Sequence, residues 1–412
     1  MKQSKLFGKT RKDIKSDEKS INAELLTKAG FVEKQMAGVY SYLPLGLKTF
    51  RKIEQVIREE IDRIGGQEVL LPALQTKELW EQTGRWQELE PIMYQFQDHH
   101  GTDIGLGTTH EEVITDIVKK HLASYKDLPL ALYQIQNKFR DEKRAKSGLL
   151  RGREFIMKDL YSFHASEADL DAYYKIAHDA YLKIFTRLGL QAFSVEASGG
   201  AMSANNSHEF MVKTEAGEDL TIFCESCAWA QNTEITKLKD GDSCPNCAKK
   251  LKLAKTVEAG NIFRLYTKYS KDMDLKFTDA DGKQQLVLMG CYGIGLSRIM
   301  GTVVEASHDA DGIIWTKNTT PYQVHLLNLV KDDKSKADKL YADLQAEGVE
   351  VLYDDRDLSF GKKLKDADLI GICLQVIVSD KQTDLELKDR QTNKTKLLAV
   401  KDLLVEIKKY YK

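Results

Sequence analysis

Apolar residues near the start of the chain recur every three or four positions, which is the pattern of an amphipathic helix. The pair Gly65-Gly66 follows this run, and glycine is typical of helix ends because it adopts the left-handed conformation without strain. The pattern predicts a helix that ends at Ile64 and a short buried strand over 68–74. The positions on the buried face are Leu47, Phe50, Ile53, Val56, Ile57, Ile61 and Ile64.

The middle of the chain alternates strand and helix patterns. Runs rich in apolar and aromatic residues predict strands, and Ser166-Glu-Ala-Asp169 is a capping signature that predicts the start of a helix. The stretch between the first two strands is polar and basic, which predicts a long hairpin loop. In chain order we predict a helix over 111–124, strands over 132–139 and 154–163, a helix from 166, and a strand over 286–289 that leads through glycines into a helix ending at 304.

Beyond a polar connector at 316–321, strand and helix patterns alternate regularly. Such alternation indicates a small α/β domain with a mostly parallel sheet. The predicted strands cover 324–329, 349–353 and 375–379, the predicted helices cover 335–348 and 362–369, and a last helix ends at 411.

Composition limits the classes of partner. The 412 residues carry a formal net charge of -1, so any RNA recognition would depend on local patches and not on a basic field. The first residues lack the apolar core of a signal peptide, and no run approaches the ~18 apolar residues of a membrane span. We therefore expect a cytoplasmic protein of two or three domains without a membrane partner.

Four of the six cysteines stand in two Cys-x-x-Cys pairs, Cys224 with Cys227 and Cys244 with Cys247. In a reducing cytosol such pairs indicate a metal and not a disulfide framework. Two pairs complete a closed tetrahedral shell of thiolates, which leaves no open position for water. We therefore predict a structural zinc ion that stabilises a polar segment. The alternative is an insertion whose thiols bind no metal.

The hairpin over 138–155 is a second candidate site. An arginine on a strand beside a carboxylate suits a nucleotide, because a guanidinium binds phosphate and a carboxylate can bind an exocyclic amine or a metal. By composition alone, a solvated charged hairpin is the favoured alternative. The charged residues of this hairpin are Lys138, Arg140, Asp141, Glu142, Lys143, Arg144, Lys146, Arg151, Arg153 and Glu154.

Two shorter motifs complete the candidate sites. Gly290-Cys-Tyr-Gly-Ile-Gly-Leu-Ser-Arg298 places glycines before a helix, where a ligand can approach the backbone and the helix N-terminus favours anions. Gly107-Thr-Thr-His-Glu-Glu112 places a hydroxyl and a carboxylate where they could bind an ammonium group. Taken alone, the first motif also fits a tight turn, and the second is better explained as a helix cap.

In their order and spacing, these segments together resemble class II aminoacyl-tRNA synthetases, and among them the bacterial prolyl-tRNA synthetase family. Lys2-Gln-Ser-Lys-Leu-Phe7 is similar to that family's N-terminus, and Ala37-Gly-Val-Tyr-Ser-Tyr-Leu-Pro-Leu-Gly46 to a stretch distinctive of the prolyl type. The three class II signatures are resembled, in turn, by the helix to Ile64 with the strand ending at Pro72, by Phe139-Arg-Asp-Glu142 with Arg151-Gly-Arg-Glu-Phe155, and by Gly293-Ile-Gly-Leu-Ser-Arg298.

The resemblance implies an α+β protein and a homodimer. A catalytic domain built on an antiparallel sheet would cover 1–217 and 258–316. The change of composition over 218–257, which holds the four paired cysteines, predicts a small zinc-ribbon-like insertion there. By the resemblance, an α/β anticodon-binding domain would cover 321–412.

The resemblance also implies a role for individual residues. Arg140 and Arg298 would be catalytic, with Arg140 on the α-phosphate of ATP, Arg298 on the γ-phosphate, and Mg2+ bridging the phosphates. L-Proline would be held by Thr109 and Glu111, which match a Thr-x-Glu motif. The remaining implied contacts are Glu142, Arg151, Phe155 and Gly295 with ATP, Arg140, Asp159, Tyr161, His164 and Cys291 with proline, and Lys388 and Arg390 with the anticodon of tRNA(Pro).

Two departures from the family pattern matter. Many bacterial relatives carry an editing domain between the second and third signatures, and 155–289 leaves no room for it. We therefore predict an enzyme without editing in cis that mischarges alanine, with a separate deacylase as a candidate partner. Ser203-Ala204 stands where the family often has two glycines, in a loop beside the amino-acid and adenine sites.

Two alternative functions differ in kind. The chain could be a synthetase of the threonyl or glycyl type, against which the stretch 37–46 and the Thr109-x-Glu111 motif argue. It could also be a non-catalytic paralogue that binds tRNA, against which the presence of Arg140, Glu142 and Arg298 argues.

Overall fold

The computed structural model describes residues 1–13, 20–145, 147–200, 202–203, 205–330, 333–380 and 384–412. Lys146 and Ala204, named above, lie outside these ranges. The chain forms two compact units, one of Met1–Gln35, Tyr40–Glu54 and Val303–Lys412, and the other of Met36–Val39 and Gln55–Thr302. Every helix in the described ranges is too short or too polar to cross a membrane.

The helices follow the amphipathic patterns of the sequence. The predicted cap at Ser166 is confirmed, since its hydroxyl oxygen accepts the amide of Asp169 at 3.3 Å. The helices are α1 (Ile21–Lys28), α2 (Pro44–Arg63), α3 (Lys77–Glu81), α4 (Arg85–Glu88), α5 (Glu111–His121), α6 (Glu167–Arg187), α7 (Lys268–Asp272), α8 (Leu296–Ala306), α9 (Ser335–Ala346), α10 (Phe360–Ile370) and α11 (Val400–Tyr411).

The strands belong to one large sheet, one smaller sheet and several short pairings. They are β1 (Val32–Met36), β2 (Val39–Tyr42), β3 (Gln67–Glu68), β4 (Leu74–Thr76), β5 (Gln95–Gln97), β6 (Asp103–Leu106), β7 (Leu130–Phe139), β8 (Glu154–His164), β9 (Ala192–Ala197), β10 (Ser207–Lys213), β11 (Asp219–Cys224), β12 (Ala230–Asn232), β13 (Leu251–Tyr266), β14 (Lys276–Thr278), β15 (Gln284–Leu286), β16 (Leu288–Gly295), β17 (His308–Asp309), β18 (Gly312–Ile313), β19 (Val324–Asn328), β20 (Val351–Asp354), β21 (Leu374–Val378), β22 (Leu385–Asp389) and β23 (Thr395–Leu398).

The unit that contains Gln55–Thr302 is built on a nine-stranded sheet in the order β10-β9-β12-β11-β13-β16-β8-β7-β3. The four neighbours β13, β16, β8 and β7 pair antiparallel, and β7 with β8 forms the predicted long hairpin. An apolar core that includes Ile114 of α5, Tyr269 of α7 and Phe163 of β8 covers one part of this sheet. The antiparallel sheet that the sequence predicted is therefore confirmed.

The C-terminal part of the other unit contains a five-stranded sheet in the order β20-β19-β21-β22-β23. β20, β19 and β21 run parallel, as the alternating pattern predicts, while β22 and β23 add an antiparallel hairpin. Apolar residues of α9 and α11, among them Leu340 and Leu403, pack with Val324 and Val376 of the sheet.

Two predicted elements differ from the structure. The strand predicted over 68–74 is interrupted, because the amide of Leu71 bonds to the side chain of Gln134 at 3.0 Å and not to a neighbouring strand. The glycine-rich stretch 290–295 is not a turn but lies within β16. An added Cβ at Gly290 would lie only 2.4 Å from Tyr292 Oη, so a larger residue would displace the Tyr292 side chain.

Candidate active site

A cluster of hydrogen-bonded polar side chains lies where β8, β16 and the start of α5 meet. Side chains alternate between the two faces of a strand, so Asp159 and Tyr161 of β8 share one face. Tyr161 pairs in register with Cys291 of β16, and its hydroxyl lies 3.1 Å from Asp159 Oδ2 and 3.2 Å from Glu111 Oε1. The structure thus brings together Thr109, Glu111, Asp159, Tyr161 and Cys291, which we call the Glu111 pocket.

Glu111 is the centre of this pocket and is fully buried. Thr109 Oγ1 donates to Glu111 Oε2 at 2.5 Å, and Cys291 Sγ donates to Oε1 at 3.4 Å. Arg85 of α4 reaches the same Oε2 at 3.3 Å from Nη1. The carboxylate is therefore held in one orientation, at the start of a helix, where a cationic nitrogen could bind.

The ionisation of this pocket depends on one arginine shared by two acids. Arg85 Nη1 also lies 2.9 and 3.1 Å from the two carboxylate oxygens of Glu112. Burial opposes the charge on Glu111, but Arg85 and Thr109 outweigh it and hold the pKa of Glu111 below its ordinary value. Burial raises the pKa of Glu112 despite the same arginine. Glu111 therefore keeps its negative charge more readily than Glu112 does.

Asp159 has a charge partner of its own. Lys138 Nζ lies 2.7 Å from Asp159 Oδ1, and Gln134 Nε2 donates to Oδ2 at 2.9 Å. Burial opposes ionisation, but Lys138 outweighs it and lowers the pKa of Asp159. Burial also lowers the pKa of His110 to about 4, so this imidazole is neutral at pH 7. Asp159 therefore keeps its negative charge in the Glu111 pocket, where Lys138 balances it.

His164 does not join these residues. It is separated from Tyr161 by an odd number of positions along β8, so its side chain lies on the other face of the sheet. There His164 Nδ1 lies 2.6 Å from Asp169 Oδ2 of α6, and its ring stands 5.5 Å from that of Tyr173. The resemblance assigned His164 to the proline pocket; the strand alternation corrects this and makes it a contact between β8 and α6.

Arg140 and Arg298 line one cleft, which we call the arginine cleft. Arg140 follows β7, Arg298 lies in the first turn of α8, and Glu142, Arg151 and Glu258 line the same space. Phe155 and Gly295 line its adjoining part together with both arginines. Burial and then the charge of Arg298 lower the pKa of Arg140. Two guanidinium groups that face a shared space favour an anionic ligand such as a phosphate chain.

The loop that carries Arg140 is fixed from two sides. The Arg140 guanidinium lies over the Phe155 ring, 5.2 Å from its centroid. The amide of Arg153 donates to the carbonyl oxygen of Gly38 at 2.8 Å, so the stretch 37–46 reaches this loop through its first residues. Gly38 has φ 75°, and an added Cβ would stand 2.8 Å from the Arg153 nitrogen, so glycine is required here.

Arg151 ties the loop to β11 and its neighbourhood. Its Nε donates to Glu142 Oε2 at 3.1 Å, and its Nη1 donates to Glu218 Oε2 at 2.9 Å. The predicted ATP contacts Glu142 and Arg151 are therefore partners of each other within the arginine cleft.

Carboxylates collect at the β11 and β13 side of the cleft. Arg298 Nη1 lies 2.8 Å from Glu258 Oε2. Burial and then Glu258 raise the pKa of Asp219, and the same two causes raise the pKa of Glu209, which lies outside the cleft lining on β10 beside β13, to about 8. Such crowding of oxygen ligands is the donor set that Mg2+ prefers, and a divalent cation would relieve it.

The arginine cleft and the Glu111 pocket meet at Arg140. Its Nη2 donates to the carbonyl oxygen of Thr108 at 3.4 Å, and Thr108 immediately precedes Thr109. An anion held by Arg140 would therefore lie beside a cation held by Glu111.

The four paired cysteines form one cluster. Their sulfur atoms all lie within 4.8 Å of one another, with 3.4 Å between Cys224 and Cys247 and 3.6 Å between Cys227 and Cys244. A tetrahedral shell with Zn–S bonds of ~2.3 Å places sulfur atoms ~3.8 Å apart, so the geometry fits zinc.

The strands at this cluster continue into the arginine cleft. β11 and β13 pair antiparallel, from Cys224 opposite Leu251 at the cluster to Asp219 opposite Thr256 at the cleft. Since both strands are members of the nine-stranded sheet, 218–257 is built into that sheet, and the predicted domain bounds stay a prediction.

The two residues predicted to contact the anticodon are tied to carboxylates. Arg390 is only 1% exposed, and its two Nη atoms each lie 2.6 Å from an oxygen of Asp309. Lys388 Nζ donates to Asp368 Oδ1 at 2.7 Å. The burial of Arg390 corrects the sequence-based expectation, because its guanidinium is not presented to a nucleic acid.

Sequence reasoning missed Arg85 and Glu258 and named Lys138 only as a basic residue of the hairpin. Arg85 lies beside Trp86 in a segment of mixed polarity, and its acid partners stand 26 and 27 positions later. No periodicity or spacing joins residues so far apart. Glu258 gave no signal either, because it is one acid in an ordinary strand pattern.

Comparison with known families identifies the class. Residues 94–307 match the family described as "tRNA synthetase class II core domain (G, H, P, S and T)". Residues 323–410 match the family described as "Anticodon binding domain". The first match covers half of the chain, so the chain belongs to the class II aminoacyl-tRNA synthetases.

Curated relatives identify the family within that class. The chain is 33% identical to proline--tRNA ligase of Halothermothrix orenii over 562 positions, which cover 99% of both chains. It is 34% identical to proline--tRNA ligase of Shouchella clausii over 557 positions, which cover 98% of both chains. The chain belongs to the proline--tRNA ligase family. Because the alignments are longer than the 412 residues of this chain, they contain positions without a counterpart here.

A solved structure agrees in fold. The crystal structure of prolyl-tRNA synthetase from Cryptosporidium parvum, complexed with halofuginone and AMPPNP, superposes with a TM-score of 0.78 at 17% identity. The match covers 95% of this chain and 74% of that chain. The predicted fold class, family and enzyme class are confirmed.

Proposed function

We propose that this chain activates L-proline with ATP and transfers the prolyl group to tRNA(Pro). The observation that carries the proposal is the position of Arg140. Its guanidinium lines one cleft with Arg298, and its Nη2 bonds to Thr108, next to the Thr109 and Glu111 pair. A triphosphate and an amino acid can therefore bind side by side.

In the Glu111 pocket, the ring nitrogen of proline would be held by Glu111 and Thr109. This nitrogen is a secondary ammonium with two hydrogens, and the carboxylate of Glu111 and the hydroxyl of Thr109 lie 2.5 Å apart, which suits two acceptors for one nitrogen. Tyr161, Asp159 and Cys291 support this pocket. His164 is not part of the proposed pocket.

In the arginine cleft, Arg140 would bind the α-phosphate of ATP, and Arg298 would bind the γ-phosphate. Glu142 would face the adenine side, with Arg151, Phe155 and Gly295 as further contacts. The Glu142–Arg151 bond and the stack of Arg140 on Phe155 hold these side chains in place before ATP arrives. Such pre-organisation reduces the reorganisation that binding requires.

The first reaction needs little acid or base from the protein. The proline carboxylate attacks the α-phosphorus in line, a new C–O–P bond forms, and pyrophosphate leaves with its electron pair. Arg140 and Arg298 stabilise the negative charge that builds on the phosphates, and Glu111 orients the attacking molecule. In the second reaction, a terminal ribose hydroxyl of the tRNA attacks the carbonyl carbon of the prolyl-adenylate. An ester bond forms, the mixed-anhydride C–O bond breaks, and AMP leaves, with the hydroxyl proton passing to the released phosphate.

Two metals are part of the proposal. Glu258 and Asp219 would hold Mg2+, which supplies further charge neutralisation on the phosphates. Cys224, Cys227, Cys244 and Cys247 would hold a structural zinc ion. A homodimer and a cytoplasmic location also stay predictions, and the size of the protein in solution tests the dimer.

The test is pyrophosphate exchange with each amino acid in turn. We expect exchange with proline and little with threonine or glycine. Exchange driven by threonine or glycine would favour another synthetase of the class. ATP binding without any exchange would favour a non-catalytic tRNA-binding paralogue.

A further inference from the structure

Arg85 is a buried charge that the proposed reaction does not yet use. It lies on α4 and is 4% exposed. Its guanidinium carbon stands 5.2 Å from the ring of Trp80 and 5.4 Å from that of Tyr269. Two aromatic contacts restrict a planar guanidinium, so its N–H groups have fixed directions.

These N–H groups face two acids at unequal distances. Nη1 is 2.9 and 3.1 Å from the oxygens of Glu112, but 3.3 Å from the nearer oxygen of Glu111. Thr83 Oγ1 donates to Glu112 Oε1 at 2.7 Å, which helps to fix the Glu112 carboxylate beside Arg85. Arg85 is therefore bound mainly to Glu112, and it contacts Glu111 from the side.

The contact with Glu111 is made at the same oxygen that accepts a hydrogen bond from Thr109. Arg85 Nη1 and Thr109 Oγ1 both approach Glu111 Oε2, while Tyr161 and Cys291 approach Oε1. The carboxylate is thus oriented from both ends. If Arg85 closed fully onto Glu111, it would neutralise the charge that a cationic nitrogen needs.

We propose that Arg85 and Glu112 are positioning residues for the amino acid. Arg85 contacts and orients the carboxylate of Glu111, and its shorter contacts with Glu112 keep it from closing fully onto Glu111, so that the charge of Glu111 stays available to the ring nitrogen. This inference rests on the proposed function, because it assumes that Glu111 holds the ring nitrogen of proline.

The experiment is a double-mutant cycle with Arg85→Met, Glu112→Gln and both together, assayed by proline-dependent pyrophosphate exchange. We expect each single change to raise KM for proline about tenfold or more and to leave KM for ATP within about twofold, because only the amino-acid side is disturbed. The double variant should be no worse than Arg85→Met alone, since Glu112 acts only through Arg85. Arg85→Lys keeps the charge but lacks the planar guanidinium. Its KM for proline should therefore lie between that of the unchanged protein and that of Arg85→Met.

The contrary results are equally specific. Losses that add up in the double variant, or that raise KM for ATP as much as KM for proline, would mean a purely structural role. Glu112→Gln with an unchanged KM for proline would overturn the proposal, and this isosteric change serves alone if Arg85→Met does not fold. Lys120→Met, which removes an exposed lysine of the same helix α5, is the matched control and should change nothing.

Glu111→Gln separates this inference from the function on which it rests. If Glu111→Gln leaves proline exchange intact, the proposed proline site itself is wrong. If it raises KM for proline while Arg85→Met and Glu112→Gln do not, only the positioning role is wrong.

Discussion

Arg298 contacts Glu258 twice, from Nη1 to Oε2 at 2.8 Å and from Nη1 to the main-chain oxygen at 3.0 Å. A third bond runs from Arg298 Nε to the carbonyl oxygen of Leu150 at 2.9 Å. The arginine is therefore held in the cleft before any phosphate binds, beside the acid that would hold Mg2+. In the proposed function, this arrangement would place a cation and a cation-binding group against the same phosphate chain.

Glu258→Gln tests this relationship. We expect KM for ATP to rise roughly ten- to hundredfold, because a hydrogen bond to a charged group is worth ~1.5–3 kcal/mol, and we expect more Mg2+ to be required. KM for proline should not change. Exchange assays over a Mg2+ titration measure both effects, with Glu225→Gln, an exposed acid paired with Lys252, as the control. An unchanged Mg2+ dependence would contradict the role of Glu258.

Arg140→Ala should remove both phosphate charge and positioning. We expect kcat for proline-dependent exchange to fall roughly 10²–10³-fold, as is typical when one stabilising donor is removed from a transition state. Arg144→Ala, an exposed arginine of the same hairpin, is the matched control and should retain activity. Near-normal exchange by Arg140→Ala would show that its proposed role is wrong.

The cysteine cluster should carry zinc, and zinc should matter for ATP. Protein purified without added zinc should contain about one zinc per chain, and Cys244→Ser should lose it. Because β11 and β13 run from the cluster to Asp219 and Glu258, we expect metal loss to lower Tm and to raise KM for ATP more than KM for proline. Cys373→Ala, a buried thiol outside the cluster, should keep the metal. Elemental analysis that finds no metal in the unchanged protein would remove this claim.

The Arg390–Asp309 pair should make the free energy of unfolding decrease at low pH. The side-chain bond from Arg390 lowers the pKa of Asp309 from 3.8 to about 2. A lowered folded-state pKa contributes stability that is fully present above the unfolded value of 3.8 and is lost as the pH falls towards 2. We therefore expect Asp309→Asn to be less stable than the unchanged protein at pH 5 and to lose less stability between pH 4 and pH 2.

Urea unfolding at a series of pH values measures this difference. Equal slopes against pH for the two proteins would mean that the pair does not contribute. Lys77→Met, which breaks an exposed pair with Asp103, is a control for loss of a surface charge.

The protein should activate alanine, and it should not hydrolyse the resulting alanyl-tRNA(Pro). A pocket that accepts proline cannot strongly reject a smaller amino acid by contacts alone, and methylene-sized differences are worth only ~1–3 kcal/mol. We expect measurable alanyl-tRNA(Pro) in charging assays and no faster hydrolysis when more of this protein is added. Rapid deacylation by the purified chain would overturn this prediction. Clearance on addition of a separate deacylase would identify the candidate partner.

Local patterns along the chain determined much of this protein. The spacing of apolar residues predicted α2 and the C-terminal alternation, and the cap at Ser166 predicted α6. The two cysteine pairs predicted a cluster that the structure forms. Each of these features depends on residues within a few turns or strands of one another, so a single sequence contains the necessary information.

Only the tertiary structure decided which charges are available. Arg390 and Arg140 look equally suited to an anion in the sequence, yet Arg390 is closed off by Asp309, 81 positions away, while Arg140 faces a cleft. No local pattern singles out Arg85 in the sequence, and only the folded chain places it against Glu111 and Glu112. A side chain's charge acts through its neighbours in space, and burial multiplies both the cost and the strength of such contacts, so pairings between distant positions appear only when the chain has folded.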